Sequence, residues 1–306
     1  MQLATIAVDG ASVAAVRLKN GTMLEIAKAA NGSSPDCVKA GTVQALVEGG
    51  PEALEQVAAL IAEAEAGGHS DACHTEASGT VMAPLPKPAK NVFCVGRNYA
   101  EHIAEGERAQ NKKIGVTDYP VYFTKPPTAV VGPDAEIPIF PDLSQNIDYE
   151  VELAVVIGKP GRNIPKDKAL EHVFGYTILN DVTARDVQRR HGGQYFKGKA
   201  LDGSCPIGPW IVTADEISDP HNLSIRLSVN DEMRQDGKTS DMIFDIPTLI
   251  ASLSEGLTLE PGDIIGTGTP SGVGYAMEPP QFLKDGDVVV CEIEDIGRLR
   301  NTVRTT

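Results

Sequence analysis

Ile147-Asp148-Tyr149-Glu150-Val151-Glu152-Leu153-Ala154-Val155-Val156-Ile157-Gly158 reads as a β-strand with a charged beginning and an apolar end. Side chains of a strand alternate faces, so Glu150 and Glu152 share one face while Val151 and Leu153 share the other. Two carboxylates held that close repel each other, and burying an unpaired ionised group is costly. A hard divalent cation removes the conflict. Asp181, at the end of the next strand-like run and 29 positions after Glu152, can supply a third oxygen ligand. Three carboxylates without a neighbouring His or Cys ligand suit Mg²⁺, Mn²⁺ or Ca²⁺ better than Zn²⁺. The same spacing also occurs on exposed strand faces that bind nothing.

Working outward, strand-like runs dominate from Asn91 onward, at 91–95, 121–124, 149–157, 173–179, 209–213, 223–229 and 287–294. Helical patterns are few there, at about 98–105, 183–190 and 246–255. Strands separated by Pro/Gly turns rather than by regular helices argue against a doubly wound sheet. They predict an α+β, mostly β domain over 91–306. Residues 1–70 read as a small α/β unit: strands at Leu3–Val8 and Ser12–Leu18, an Asn20-Gly21 turn, and a helix from Pro51 to Ala66. Between them, 71–90 ends in Pro84-Leu85-Pro86-Lys87-Pro88, an extended connector.

Bulk properties narrow the partners. With 306 residues, 42% hydrophobic, the chain can build a sizeable core. A net charge of −15 argues against nucleic acid and anionic membranes as partners. An anionic substrate then needs local help from a metal, Lys or Arg. No apolar run approaches the roughly 20 residues that span a bilayer. Met1-Gln2-Leu3-Ala4-Thr5 lacks the basic start of a signal peptide, and five scattered cysteines suit free thiols, so a cytoplasmic location is expected.

Four further segments carry chemistry. In Val92 to Glu105 a strand ends at Gly96 and a short helix follows, on which His102 and Glu105 share a face. A carboxylate beside an imidazole prepares a general base, although a solvated helix also carries such pairs. The polar residues Gly106 to Tyr119 read as a surface loop able to act as a lid. In Leu179 to Gln188, Thr183 and Asp186 resemble a capping box, placing Asp181 beside a helix start. Arg185 and Gln188 then face one way and can bind a carboxylate, if the helix is not merely a capped surface one. The Lys-bearing loop 194–209 and Gly266-Thr267-Gly268-Thr269-Pro270-Ser271-Gly272-Val273-Gly274 complete the set. The latter lacks the ending of a phosphate loop, but its amides and the Thr269 hydroxyl can approach a small anion.

Taken together, V-G-R-N-Y-A-x-H-x-x-E at 95–105, F-T-K-P at 123–126, D-Y-E-V-E-L-A at 148–154, N-D-V-T-A-R-D-x-Q at 180–188, G-K-x-x-D-G-S-C-P-I-G-P at 198–209 and the 266–274 run resemble the fumarylacetoacetate hydrolase family. The resemblance implies a mixed β-roll catalytic domain, a homodimer, and Mg²⁺ or Mn²⁺ held by Glu150, Glu152 and Asp181. It implies His102 and Glu105 as a catalytic dyad on a lid, Lys199 as the active-site lysine, and Arg185, Gln188 and Thr269 as groups binding a 2-oxo acid. The H-x-x-E version belongs to the family's short-acid branch. The expected reaction is hydrolytic C–C cleavage of a 2,4-dioxo acid of the acylpyruvate type, giving pyruvate. Oxaloacetate decarboxylation and isomerisation or tautomerisation are the alternatives.

Overall fold

Every residue of the strand Val151–Ile157 is buried, because it has a neighbour on each edge and a core on each face. Val173–Asn180 pairs with it on one edge and Ile264–Gly266 on the other, both antiparallel. Val151, Leu153, Val155 and Ile157 enter one hydrophobic core, while Ala154 and Val156 enter a second. A fully buried Val, Leu or Ile contributes roughly 1.5–3 kcal/mol relative to exposure. Five such residues fix the strand firmly enough to carry two glutamates at its start. The computed structural model describes residues 1–30, 34–75, 80–113 and 115–306.

Among the described residues the main sheet has twelve strands. Along it run Cys73–His74, Met23–Glu25, Ala11–Arg17, Gln2–Val8, Cys205–Thr213, Val173–Asn180, Val151–Ile157, Ile264–Gly266, Val92–Gly96 and Val121–Lys125. Thr80–Met82 pairs with Gln2–Val8. Val130–Val131 pairs in parallel with Cys205–Thr213, so the chain leaving one end of the sheet returns to its middle and the sheet rolls over. A second sheet of five strands, Glu232–Lys238, Ser224–Val229, Val288–Ile293, Gly297–Thr305 and Glu136–Ile139, supplies Ile225, Leu227, Val289, Cys291 and Leu299 to the core that holds Val151 and Leu153. There is more strand than helix, as the sequence predicts, and the fold is α+β.

The N-terminal residues extend the main sheet directly. Gln2 and Leu3 pair with Val212 and Ile211, and the stretch read as a connector contributes Thr80–Met82 as a strand. The predicted helix at 51–66 is the second part of Val43–Glu65, which kinks at Gly50, where φ is 55°. Pro51 therefore starts a helix, as read, but another precedes it, capped by the Thr42 hydroxyl accepting from the Ala45 amide.

Three local readings change near the site. The strand begins at Val151, not at 149, because the Glu150 amide donates to the Asn180 side chain and its carbonyl accepts from the Asp181 amide. The helix after Gly96 runs Ala100–Gln110, so the first residues assigned to the lid loop are helical. Part of that loop, Ile114, lies outside the described residues. Thr183 does not cap a helix: Thr183–Ala184 pairs with Ile147–Asp148, and the helix is Arg185–Arg190. Its hydroxyl donates to the Asp181 carbonyl instead, and the Asp186 carboxylate accepts from Ser144.

Candidate active site

The starts and ends of several strands deliver Glu150, Glu152 and Asp181 to one place. One carboxylate oxygen from each lies within 4.8 Å of the others, and all three residues are buried. Glu152 stands beside Gly266, and a Cβ there would overlap its carboxylate, so the glycine makes the room the acid needs. The Gly268 amide donates to Glu152 at 3.1 Å.

Buried cations surround the other two acids. Lys199 Nζ lies 2.5 Å from Asp181, 2.9 Å from Glu150 and 2.9 Å from the Thr183 hydroxyl. Lys125, wholly buried, donates to the other Asp181 oxygen at 2.7 Å and to the Val182 carbonyl at 3.0 Å. Arg185 Nε donates to Asp148 at 2.8 Å, while its Nη2 faces Glu150 at 2.6 Å as an ion pair outside hydrogen-bond geometry. Asp148 in turn accepts from the Gly274 and Tyr275 amides.

These contacts split the two glutamates. Burial would raise the Glu150 carboxyl, but Lys199, Arg185 and His102 outweigh it and hold the group well below the ordinary carboxylate range. Glu152 goes the other way: burial, then Asp181 and Glu150, push it well above its ordinary value. Burial would lower Lys199 and Arg185, yet the acids around them keep both charged. Four buried carboxylates (Asp148, Glu150, Glu152, Asp181) thus face three buried cations (Lys125, Arg185, Lys199), and among the described residues no cation pairs with Glu152. The oxygen-only donor set and that surplus of negative charge fit a hard divalent cation.

His102 and Glu105 come together as the spacing predicts. His102 Nδ1 is 2.8 Å from one Glu105 oxygen, and the other accepts from the Gly272 amide at 2.8 Å. The loop after Ile264–Gly266 therefore acts differently from its reading. Its amides hold the protein's own acids, Glu152, Glu105 and Asp148, through Gly268, Gly272 and Gly274. Gly272, at φ 107°, also lies so close to the Arg234 carbonyl that no side chain fits.

A cavity of ≈ 240 Å³ opens over these groups, lined by His102, Glu150, Glu152, Arg185, Gln188, Lys199 and Thr269 among others. The structure brings eight of the nine predicted site residues to this lining or, for Asp181, into the acid cluster beneath it. Glu105, the ninth, supports His102 from behind. Arg185 is engaged with Asp148 and Glu150, so its charge is largely spent within the protein.

Sequence reasoning missed several supports. Asp148 lies two residues before Glu150, so the same alternation that linked the glutamates could have included it. Lys125 sat in the F-T-K-P run without a role. Asn98, fully buried, holds Phe244 through both backbone groups and donates to the Thr267 carbonyl. Gln235 of the second sheet accepts from the Val151 amide and donates to Thr269 at 2.7 Å. Its strand is otherwise largely solvent-facing, and no local signal marks it.

Comparison with known proteins identifies the family. The family model described as fumarylacetoacetate (FAA) hydrolase C-terminal matches residues 91–304. Oxaloacetate tautomerase YisK of Bacillus subtilis (strain 168) is 49% identical over 221 residues, 72% of this chain and 72% of that protein. Among solved structures, a fumarylacetoacetate hydrolase from Exiguobacterium antarcticum is 39% identical, with a TM-score of 0.81 and full coverage of both chains. A 5-carboxymethyl-2-hydroxymuconate delta-isomerase from Mycobacterium smegmatis is 33% identical with a TM-score of 0.74, again over the whole of both chains. On the family match across most of its length, the chain belongs to the fumarylacetoacetate hydrolase C-terminal family.

Proposed function

We propose that the chain interconverts the keto and enol forms of a short 2-oxo acid, with oxaloacetate the first candidate. The observation that carries this reading is the His102–Glu105 pair set over a cavity floored by three carboxylates and Lys199. The kinship with an oxaloacetate tautomerase and a delta-isomerase supports isomerisation ahead of the hydrolysis expected from the sequence. Proton transfer alone needs a base and a way to hold enolate charge, and this site offers both.

Glu150, Glu152 and Asp181 would hold Mg²⁺ or Mn²⁺, which when bound supplies a Lewis acid and a template for the substrate's carboxylate and keto oxygens. Glu105 accepts from His102 Nδ1–H, which fixes the ring and leaves Nε2 to take the proton from the substrate carbon beside the keto group. Returning that proton to oxygen completes the enol. Lys199 stays charged beside Glu150 and Asp181, adding positive potential where the enolate oxygen develops. Gln188 and Thr269 line the cavity and orient the carboxylate end, with Gln235 fixing the Thr269 hydroxyl.

The same dyad also suits water activation, and the likeness to a fumarylacetoacetate hydrolase keeps C–C hydrolysis as a second reading. The deciding assay follows enol–keto interconversion of oxaloacetate with Mg²⁺, with Mn²⁺ and with EDTA. Pyruvate release from acetylpyruvate and CO₂ release from oxaloacetate run in parallel. Metal-dependent tautomerisation far above either cleavage is expected. Pyruvate release from acetylpyruvate as the dominant turnover would transfer the function to hydrolysis.

A further inference from the structure

We infer that Arg97 takes the distal carboxylate of the substrate and so makes the site selective for 2-oxo dicarboxylates over 2-oxo acids with an uncharged far end. This rests on the 2-oxo acid reading of the cavity. Among the residues lining that cavity, the cations divide into two groups. Arg185 and Lys199 are committed to buried acids, and His102 to Glu105. Among the described residues, Arg97, Lys112 and Arg189 meet no carboxylate within ion-pair distance. Lys112 and Arg189 are exposed, whereas Arg97 is half-buried.

Arg189 rests over a ring, Tyr275 at 5.4 Å, but it is exposed, whereas Arg97 is half-buried and its backbone is held on both sides. Arg97 follows the strand Val92–Gly96 in a left-handed backbone conformation, φ 59°. On one side Gly96 packs against the Tyr195 ring so closely that a Cβ would meet it at 2.9 Å. On the other, Asn98 is locked by hydrogen bonds to Phe244 and Thr267. Its guanidinium rests over the Tyr195 ring, 5.7 Å from the centroid, a contact that leaves its donors free. A half-buried arginine that lines a cavity of ≈ 240 Å³ and pairs with no described carboxylate offers a carboxylate fork to a small ligand. The acid cluster and its neighbours already account for the 2-oxo acid end, so the remaining cation answers a second charge. A chain of net charge −15 repels dianions at long range, which makes a local cation the means of discriminating for them.

Oxaloacetate and acetylpyruvate form the test pair, because acetylpyruvate has a methyl group where oxaloacetate has an oxygen of its distal carboxylate. For Arg97→Met, kcat/KM for oxaloacetate should fall about 10- to 100-fold, the range of a charge-assisted hydrogen bond. The value for acetylpyruvate should stay within about threefold on the same grounds. Arg97→Lys should retain part of the preference, and Arg189→Gln should leave the ratio unchanged. Equal losses on both compounds, or none on either, would overturn the assignment. Calorimetric affinities for the same pair need no turnover. If wild type turned over neither compound, the tautomerase reading would fail. A binding loss confined to the dianion would still uphold Arg97, and an equal or absent loss would remove it.

Discussion

Glu152 concentrates the electrostatic problem of the site in one residue. Asp181 has two lysines against it and Glu150 has Lys199 and Arg185, whereas Glu152 has a single amide. Glu152→Gln should therefore leave the metal-free protein at least as stable as wild type, since it removes a buried repulsion. It should weaken Mn²⁺ binding more than the 10- to 100-fold typical of losing an outer partner. Calorimetry and thermal melts, each with and without Mn²⁺, read both effects. A large loss of metal-free stability would show Glu152 serving the fold instead. Glu105→Gln separates base from metal. It keeps the Gly272 contact but loses the acceptor that orients His102, so turnover should fall about 10²- to 10⁴-fold. Mn²⁺ affinity should not change. A variant retaining full turnover would remove the dyad from the mechanism.

Elements matter here through their ends. The helix Ile246–Leu253 starts at Asp245, whose carboxylate accepts from the Thr248 amide and hydroxyl and pairs with Lys166 at 3.0 Å. Phe244, just before it, is the segment that Asn98 grips, so this cap anchors the turn leading into the dyad helix. Burial acts to raise the Asp245 carboxyl, but its hydrogen bonds to Thr248 and its contact with Lys166 hold it below the ordinary value. A depressed folded pKa contributes stability above the unfolded value near 3.9 and loses it as pH falls through the folded one. Asp245→Ala should cost about 1 kcal/mol near neutrality. The gap from wild type should close in strong acid. Urea melts at several pH values measure it, and a gap independent of pH would deny the cap its charge.

Which ends were readable depended on whether the partners were local. The alternation at 147–158 put Glu150 and Glu152 together, and a three-residue helical spacing put His102 against Glu105. Both follow from periodicities that a sequence displays. Thr183 misled, because its hydroxyl donates to the Asp181 carbonyl two residues back and accepts from Lys199, which only the tertiary fold brings near. Gln235 lies 84 residues from the Val151 amide it holds, and Lys125 lies 56 from Asp181. Such supports are fixed by sheet packing, and no local pattern encodes them.

On the scale of the whole molecule, the N-terminal residues share structure with the site-bearing part. Leu3, Ala14, Leu46 and Val57 lie in the same hydrophobic core as Cys94, Ala154, Ile207 and Ile264. The strand Gln2–Val8 covers an edge of Cys205–Thr213 that would otherwise be open to pairing with other chains. Coupling through one sheet and one core predicts cooperative unfolding of the entire chain. The single tryptophan reports on this junction. Trp210 sits on Cys205–Thr213, stacks with Arg17 of the N-terminal hairpin at 5.2 Å, and donates at 2.7 Å to the Ile296 carbonyl in the turn between two strands of the second sheet. Its fluorescence and the far-UV circular dichroism should therefore change at one common midpoint in urea. A tryptophan transition that precedes the loss of secondary structure would mean that the N-terminal residues detach first. In that case the continuous sheet would be a contact between two independently stable units, and the catalytic strands would hold their register without it.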